Sequence, residues 1–159
     1  MNVHNTAGSD KAGVLEKTFT IQGGDFIRAG EVSSTIKKVL KEIGMDPQII
    51  RRAAIASFEA EINVVCYADH GTVHLTITPD ELRIVAKDHG SGIADIELAM
   101  QEGFSTATEE IREMGFGAGM GLPNIKKNVD RLLIESTTGE GTHLEMVIEI
   151  KPRGTTEMQ

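Results

Sequence analysis

Residues 87–124 read KDHGSGIADIELAMQEGFSTATEEIREMGFGAGMGLPN, and we expect this stretch to decide the fold. It opens with the pattern Asp-x-Gly-x-Gly after an apolar run and closes with glycine at four alternate positions, Gly115, Gly117, Gly119 and Gly121. Glycine adopts positive φ and lets the backbone approach a ligand, and successive free N–H groups form an anion-binding concavity. Leu122 and Pro123 follow, and proline suits the first turn of a helix. A glycine loop that runs into a helix N-terminus predicts a phosphate-binding site.

The composition is that of an ordinary globular protein. The chain has 159 residues, of which 40% are hydrophobic and 25% charged, and this length predicts one domain. The net charge of −8 argues against a nucleic-acid-binding protein, because such domains usually carry a basic surface. The single cysteine, Cys66, excludes an intramolecular disulfide, and we expect a buried, inert thiol.

The sequence predicts neither a signal peptide nor a membrane span. The N-terminal residues lack the apolar core of a signal peptide, and no run reaches the roughly 18 apolar residues that a membrane span needs. We therefore expect a cytoplasmic protein with no membrane contact. The polar sequences at both ends predict a disordered tail at 1–13, one domain at 14–150 and a loose tail at 151–159.

Apolar periodicity divides the domain into strands and helices. Strands are expected at 16–21, 71–78, 81–86, 132–136 and 142–150, and the segment 25–29 is either a second short strand or the lead into a helix. Helices are expected at 31–44, 46–68, 95–101 and 122–129, and residues 103–121 form a long loop of the kind that usually serves a function.

The helix at 46–68 is the longest predicted element. Asp46 and Pro47 form an N-cap and a first-turn proline. Its expected core stripe consists of Ile55, Phe58, Ile62, Val65 and Cys66. The sequence Asp-His-Gly at 69–71 is expected to stop it.

The order of these elements predicts an α/β (α+β) fold in two layers. Strands fall in consecutive hairpins while helices are grouped, which favours a mixed, mostly antiparallel sheet with helices on one face. A doubly wound nucleotide-binding sheet is disfavoured, because the glycine loop has neither Gly-Lys-Ser/Thr nor the GxGxxG spacing after a strand.

Two further patterns carry polar groups that could act with the loop. Glu59 and Asn63 are four residues apart on the long helix and therefore share a face. By themselves they would more often form a solvated helix face. Gly141 and Thr142 begin the last strand after the turn at 138–141.

Together these patterns resemble the GHKL superfamily of ATP-binding domains, which have the Bergerat fold. Glu59-x-x-x-Asn63 resembles its N box, and Asp88-x-Gly90-x-Gly92 resembles its first glycine box. The four alternating glycines resemble the second glycine box, and Gly139-Glu-Gly141-Thr142 resembles the element near the C-terminus. The resemblance covers about residues 14–150 and implies a histidine-kinase-like ATPase domain.

Within the superfamily, the chain is similar to the anti-sigma-factor serine kinases of the RsbW, RsbT and SpoIIAB kind. The similarity is carried by QEGFSTA at 101–107 and GLPNI at 121–125, which look closest to the RsbT-like branch. It implies an ATP-dependent serine kinase that phosphorylates a STAS-domain anti-sigma-factor antagonist and holds a sigma factor or a phosphatase, with a homodimer possible.

Two alternatives remain open at the level of sequence. The first is a nucleotide-gated anti-sigma factor or phosphatase-binding module with little kinase activity. The second is a detached catalytic domain of a histidine kinase. It is less favoured because no helix with a phosphoacceptor histidine precedes the domain.

The resemblance also implies roles for the polar residues. Glu59 would be the general base, and Asn63 would hold Mg²⁺ that bridges the ATP phosphates. Asp88 would accept a hydrogen bond from the adenine amino group, with Thr142 supporting that contact directly or through water. Many relatives have histidine where this chain has Tyr67, so no role is carried over to that position.

The glycines complete the implied ATP site. Gly90 and Gly92 would let the backbone pass close to the base and ribose. The loop would cradle the β- and γ-phosphates together with the start of the following helix, through residues Gly115, Gly117, Gly119, Gly121 and Leu122.

Overall fold

The computed structural model describes residues 14–117 and 119–150, so the tails predicted at 1–13 and 151–159 lie outside the described residues. The described strands are β1 (Leu15–Gln22), β2 (Ala68–Ile77), β3 (Glu81–Gly90), β4 (Arg131–Thr137) and β5 (Gly141–Glu149). The described helices are α1 (Glu31–Glu42), α2 (Pro47–Tyr67), α3 (Ile96–Ala99), α4 (Glu109–Glu113) and α5 (Gly121–Asn128). None of these helices is both long and apolar enough to cross a membrane.

The strands form one sheet in the order β1-β2-β3-β5-β4, and each neighbouring pair is antiparallel. The predicted α+β fold is confirmed, and the described sheet is antiparallel throughout rather than mixed. Lys87 of β3 lies opposite His143 of β5, so the end of β3 reaches the beginning of β5. This register brings Asp88 next to Thr142, although 54 positions separate them in the chain.

Alternation along the strands gives the sheet one buried face, as a period of two requires. In β2 the buried residues are Gly71, Val73, Leu75 and Ile77, and the residues between them are only partly covered. Leu75, Leu82, Ile84 and Met146 are fully buried under the helices. The helices therefore cover one face, as predicted.

The core face of α2 differs from the predicted stripe. Ile62 and Val65 are buried, but Ile55, Phe58 and Cys66 are only half-buried. The fully buried positions of the helix are mostly small: Ala53, Ala56, Ser57, Ala60 and Val64. Small side chains let α2 lie close to its neighbours, which leaves the larger Phe58 and Cys66 to line a cavity.

The predicted end of α2 at about Ala68 is confirmed to within one residue, but residues 69–71 belong to a strand and do not act as a helix stop. The helix ends at Tyr67, Ala68 already has extended dihedral angles, and residues 69–71 belong to β2. Gly71 is required by packing instead, because a Cβ there would lie 2.7 Å from the carbonyl oxygen of Lys87.

The segment 25–29 follows the second of its two predicted alternatives, the lead into a helix, whereas the long loop differs from expectation. Residues 25–29 form turns and not a strand, with the Phe26 N–H donating to the carbonyl of Gly24 at 3.0 Å. The long loop at 103–121 contains a short helix, α4, which Thr108 caps by accepting a hydrogen bond from the Ile111 N–H.

A buried carboxylate fixes α1 against α2. Glu61 is 1% exposed, and its oxygens accept hydrogen bonds from the backbone N–H groups of Gly30, Val32 and Ser33 at 3.0–3.2 Å. These donors lie at the N-terminus of α1, where a negative charge is favourable. Burial nevertheless raises the pKa of Glu61 above its usual value, because the loss of solvation outweighs the three N–H groups.

Candidate functional site

A cavity of about 630 Å³ lies between α2, the turn after β3, the segment before α5 and the start of β5. Its size suits a nucleotide-sized ligand. The residues predicted for the site that line it are Glu59, Asn63, Asp88, Gly92, Gly115, Gly117, Gly119, Gly121, Leu122 and Thr142. Gly90 is the predicted site residue that the lining leaves out.

One wall joins the helix pair of polar residues to the glycine loop. Glu59 and Asn63 are half-buried on α2, and Gly121 packs against both of them. A Cβ at Gly121 would lie 3.3 Å from Glu59 Oε2 and 3.4 Å from Asn63 Oδ1. The missing side chain therefore leaves room beside two oxygen atoms.

Asn124 is a contact of Glu59 that sequence reasoning missed. Its side-chain Nδ2 donates to Glu59 Oε1 at 3.2 Å. Asn124 lies in the first turn of α5, so the turn that follows the glycines also holds the carboxylate of α2. The only signal in the sequence was an asparagine three residues after Gly121.

The N-terminus of α5 carries no side-chain cap. Met120 is its N-cap residue, and the Met120 side chain accepts no hydrogen bond from the N–H groups of the first turn. The other described helices each receive a carboxylate or hydroxyl acceptor at their N-terminus, from Glu61, Asp46, Asp95 and Thr108 respectively. Gly121 and Leu122 of this first turn line the cavity, and a helix N-terminus without a side-chain cap suits an anion.

Asp88 occupies the other end of the cavity. Its Oδ1 accepts from the Gly90 N–H at 3.0 Å and from the Thr142 N–H at 3.2 Å, and neither bond uses Oδ2. Burial raises the pKa of Asp88, against the opposing effect of these two N–H groups. Two backbone N–H groups therefore hold Oδ1 in place, while Oδ2 is the oxygen outside these two bonds.

Close backbone packing explains the glycines of the first box. A Cβ at Gly90 would lie 2.6 Å from the carbonyl oxygen of Tyr67, and Gly92, with φ of 76°, would place one 2.4 Å from that of Thr137. Gly141 would place its Cβ 1.9 Å from the carbonyl oxygen of Asp88. These residues bring the turn after β3, α2 and the β4–β5 hairpin into contact around Asp88.

The glycine loop has the conformation that its sequence predicts. Gly115, Gly117 and Gly119 have φ of 87°, 79° and 75°. Gly119 packs on the backbone of Phe104, because its Cβ would lie 2.5 Å from that carbonyl oxygen. Phe116 stacks on Phe26 with ring centroids 5.6 Å apart, so the loop rests on the segment before α1.

Cys66 and Tyr67 also line the cavity. Burial raises the pKa of the Cys66 thiol to about 11. A thiol with this pKa is almost entirely protonated near neutral pH, so it is a poor nucleophile.

The oxygen atoms of the site suit a hard cation held by a ligand's phosphates. Asn63 Oδ1 and Glu59 Oε2 both border the space beside Gly121. Within residues 14–117 and 119–150 no group of three or more His, Cys, Asp or Glu side chains could hold a metal ion on its own. Mg²⁺ commonly needs only one or two protein ligands when substrate phosphates and water supply the rest, so the residues present fit it.

A family model and individual relatives both match most of this chain. Residues 25–148 match the model of the histidine kinase-like ATPase domain. The chain is 33% identical over 115 residues to the serine/threonine-protein kinase RsbT of Bacillus subtilis, covering 70% of this chain and 80% of that protein. It is 31% identical over 118 residues to the anti-sigma F factor of Thermoanaerobacter sp. (strain X514), covering 74% of this chain and 75% of that protein.

Proposed function

The chain belongs to the histidine kinase-like ATPase family, and we propose that it is an ATP-dependent protein serine kinase that acts as a partner-switch regulator. The observation that carries the proposal is the position of Glu59. Asn124 holds this carboxylate beside Gly121 and the uncapped N-terminus of α5, where phosphate would bind. A site that only bound nucleotide would have no need of a base there.

In the proposed reaction, Glu59 takes the proton from a serine hydroxyl of the protein substrate. The serine oxygen forms a bond to the γ-phosphorus of ATP as the bond to the β-phosphate oxygen breaks, which gives phosphoserine and ADP. Phosphoryl transfer depends mainly on positioning and on neutralising charge. The N–H groups of the glycine loop and of the first turn of α5 would bind the β- and γ-phosphates.

At the other end, the adenine amino group would donate to Asp88, with Thr142 supporting this contact. The Asp88 Oδ2, which takes part in neither backbone bond made by Oδ1, and the adjacent Thr142 support this assignment. Gly92 would lie beside the base and ribose, while the packing of Gly90 supports an indirect role in shaping that region.

The Asn63 amide oxygen would hold Mg²⁺, with Glu59 nearby. When bound, Mg²⁺ would neutralise charge on the β- and γ-phosphates of ATP. The protein's own groups orient the phosphates and the attacking hydroxyl.

The names of the relatives support the proposed partners. RsbT is a serine/threonine-protein kinase, and the other relatives are anti-sigma F factors. We therefore propose a STAS-domain antagonist as the phosphorylated protein, and a sigma factor or a phosphatase as the protein held, with action in the cytoplasm. A homodimer is part of the same proposal.

The test is to measure Mg-ATP binding by calorimetry and transfer of ³²P from the γ-position of ATP to the STAS-domain protein encoded nearest to this one. Phosphoserine on that protein is the expected result. Binding without transfer to STAS proteins would favour the alternative, a nucleotide-gated anti-sigma factor or phosphatase-binding module. Absence of nucleotide binding would contradict the proposed function altogether.

A further inference from the structure

We propose that Ser136 determines the base specificity of the cavity by fixing the hydroxyl proton of Thr142. With that proton directed away from the ligand, the base end of the cavity offers only hydrogen-bond acceptors and selects a purine with a 6-amino group over one with a 6-oxo group. This inference rests on the proposed function, because it takes the base to lie beside Asp88 and Thr142.

Ser136 is at the centre of three short contacts on β4. Its Oγ accepts from the Ile93 N–H at 2.7 Å and donates to the carbonyl oxygen of Gly141 at 3.0 Å. It also lies 2.8 Å from Thr142 Oγ1. These contacts join the turn after β3 to the beginning of β5.

One assignment of the two hydroxyl protons makes all three contacts hydrogen bonds. A hydroxyl has one proton to donate and two lone pairs that accept. The Gly141 carbonyl can only accept, so the Ser136 proton points to it, and the Ile93 N–H can only donate, so it takes one lone pair. The remaining lone pair of Ser136 accepts the proton of Thr142, which completes the hydrogen bonding of the serine.

The consequence for Thr142 is that its hydroxyl turns only lone pairs toward the cavity that it lines. The adjacent Asp88 carboxylate likewise only accepts, and its Oδ2 takes part in neither of the backbone bonds made by Oδ1. A 6-amino group can donate its two protons to these two oxygens. A 6-oxo group would set its own lone pairs against both oxygens, which is unfavourable.

The position of Ser136 in the sheet distinguishes its hydroxyl from that of the neighbouring Thr137. Ser136 lies directly opposite Thr142 in the β4–β5 register, and both side chains are half-buried. The next residue, Thr137, is exposed. Thr137→Ala is therefore a matched control that removes a hydroxyl one residue away from Ser136.

The experiment measures the dissociation constants of ATP and of inosine triphosphate (ITP), in Mg²⁺ buffer, for the full chain. ITP carries the 6-oxo group and a proton on N1. In Ser136→Ala the Thr142 hydroxyl is free to donate to that oxygen, so we expect the preference for ATP over ITP to fall about tenfold. Ser136→Thr, which keeps the hydroxyl, and Thr137→Ala should retain the original preference.

Two further variants separate the possible failures. Thr142→Val removes the acceptor itself and should also reduce the preference, which keeps the test open if Ser136→Ala does not fold. Asp88→Asn can keep its Oδ1 for the two backbone N–H groups while presenting an amide donor, so it should shift the preference toward ITP. This variant reports whether the base is read at Asp88 at all.

The outcomes are distinct. An unchanged preference in Ser136→Ala or Thr142→Val, with a shift in Asp88→Asn, would overturn the role of Ser136 and leave the proposed function standing. An equal loss of affinity for both nucleotides in Ser136→Ala would show a purely structural role and also overturn it. Failure of the wild-type chain to bind either nucleotide would refute the proposed function instead.

Discussion

Asn124 Nδ2 donates a hydrogen bond to Glu59 Oε1 at 3.2 Å and so joins two residues 65 positions apart. Asn124 lies in the first turn of α5, and Glu59 lies on the face of α2 that borders the cavity. The helix that would bind phosphate therefore also orients the proposed base. This contact gives the proposed kinase mechanism its most direct tests.

We expect Glu59→Gln to reduce phosphoryl transfer by at least roughly 100-fold, because a positioned general base usually contributes a factor of this order or more. Glutamine keeps an oxygen that can accept from Asn124 but cannot take the serine proton. Single-turnover transfer and calorimetric ATP binding should show lost turnover with the dissociation constant of ATP nearly unchanged. Glu113→Gln, on the exposed face of α4, is the matched control. Equal transfer by Glu59→Gln and wild type would remove Glu59 from the mechanism.

Asn124→Ala should slow transfer about tenfold while ATP affinity changes little, since one hydrogen bond to a charged group is lost and the carboxylate remains. The informative measurement is a double-mutant cycle with Glu59→Gln. If Asn124 acts by positioning the base, its substitution should have little further effect once the base is gone. Fully additive losses would mean that Asn124 contributes in some other way.

Asn63→Ala should abolish the Mg²⁺-dependent part of ATP affinity. For the wild type, EDTA should weaken ATP binding, whereas for the variant the affinities with Mg²⁺ and with EDTA should converge. Asn128→Ala, at the far end of α5 and outside the cavity lining, is the control that keeps the wild-type response to EDTA. A full Mg²⁺ response in Asn63→Ala would exclude the proposed role of Asn63.

Glu61 predicts a pH dependence of stability. Burial raises the folded-state pKa above the usual value of 4.5, so between these two pKa values the folded protein binds more protons than the unfolded chain. The free energy of unfolding contributed by this group therefore decreases as pH rises through that window. In urea unfolding at a series of pH values, Glu61→Gln should lack this decrease.

Asp88 contributes in the same direction, because burial raises its pKa as well. Asp88→Asn measured in parallel separates its share from that of Glu61. A stability difference between wild type and Glu61→Gln that stayed constant across the acid range would contradict the assignment to Glu61.

Cys66 should react slowly with iodoacetamide. With a pKa of about 11, the thiolate fraction of Cys66 at pH 8 is roughly 0.1%. A more basic thiolate is also a better nucleophile, which offsets part of this loss. We therefore expect labelling about tenfold slower than for free cysteine, or slower still. ATP should slow it further, because Cys66 lines the cavity. The urea-unfolded chain serves as the control that reacts at the ordinary rate. Fast labelling that ATP does not affect would contradict both the burial and the proposed ligand position.

Much of the fold could be predicted because its signals are local. The strand alternation around Val73 and Ile84, the cap and proline at Asp46 and Pro47, and the positive φ of the loop glycines each depend on neighbouring residues alone. The role predicted for residues 69–71 was wrong because glycine at position 71 serves a contact with Lys87, which lies in another strand. The core face of α2 was predicted only in part, at Ile62 and Val65, because its small side chains pack against elements that are distant in sequence.

The sequence by itself determined the order of the elements and a set of residues that carries the chemistry of ATP. Only the tertiary structure decided which partner each of those residues has. Three contacts join elements that are separate in the sequence. They are Asn124 with Glu59, Ser136 with Thr142, and Glu61 with the N-terminus of α1. Periodicity and propensity report on the backbone within a few residues, whereas the direction of a buried hydrogen bond is fixed by the register of strands and the packing of helices.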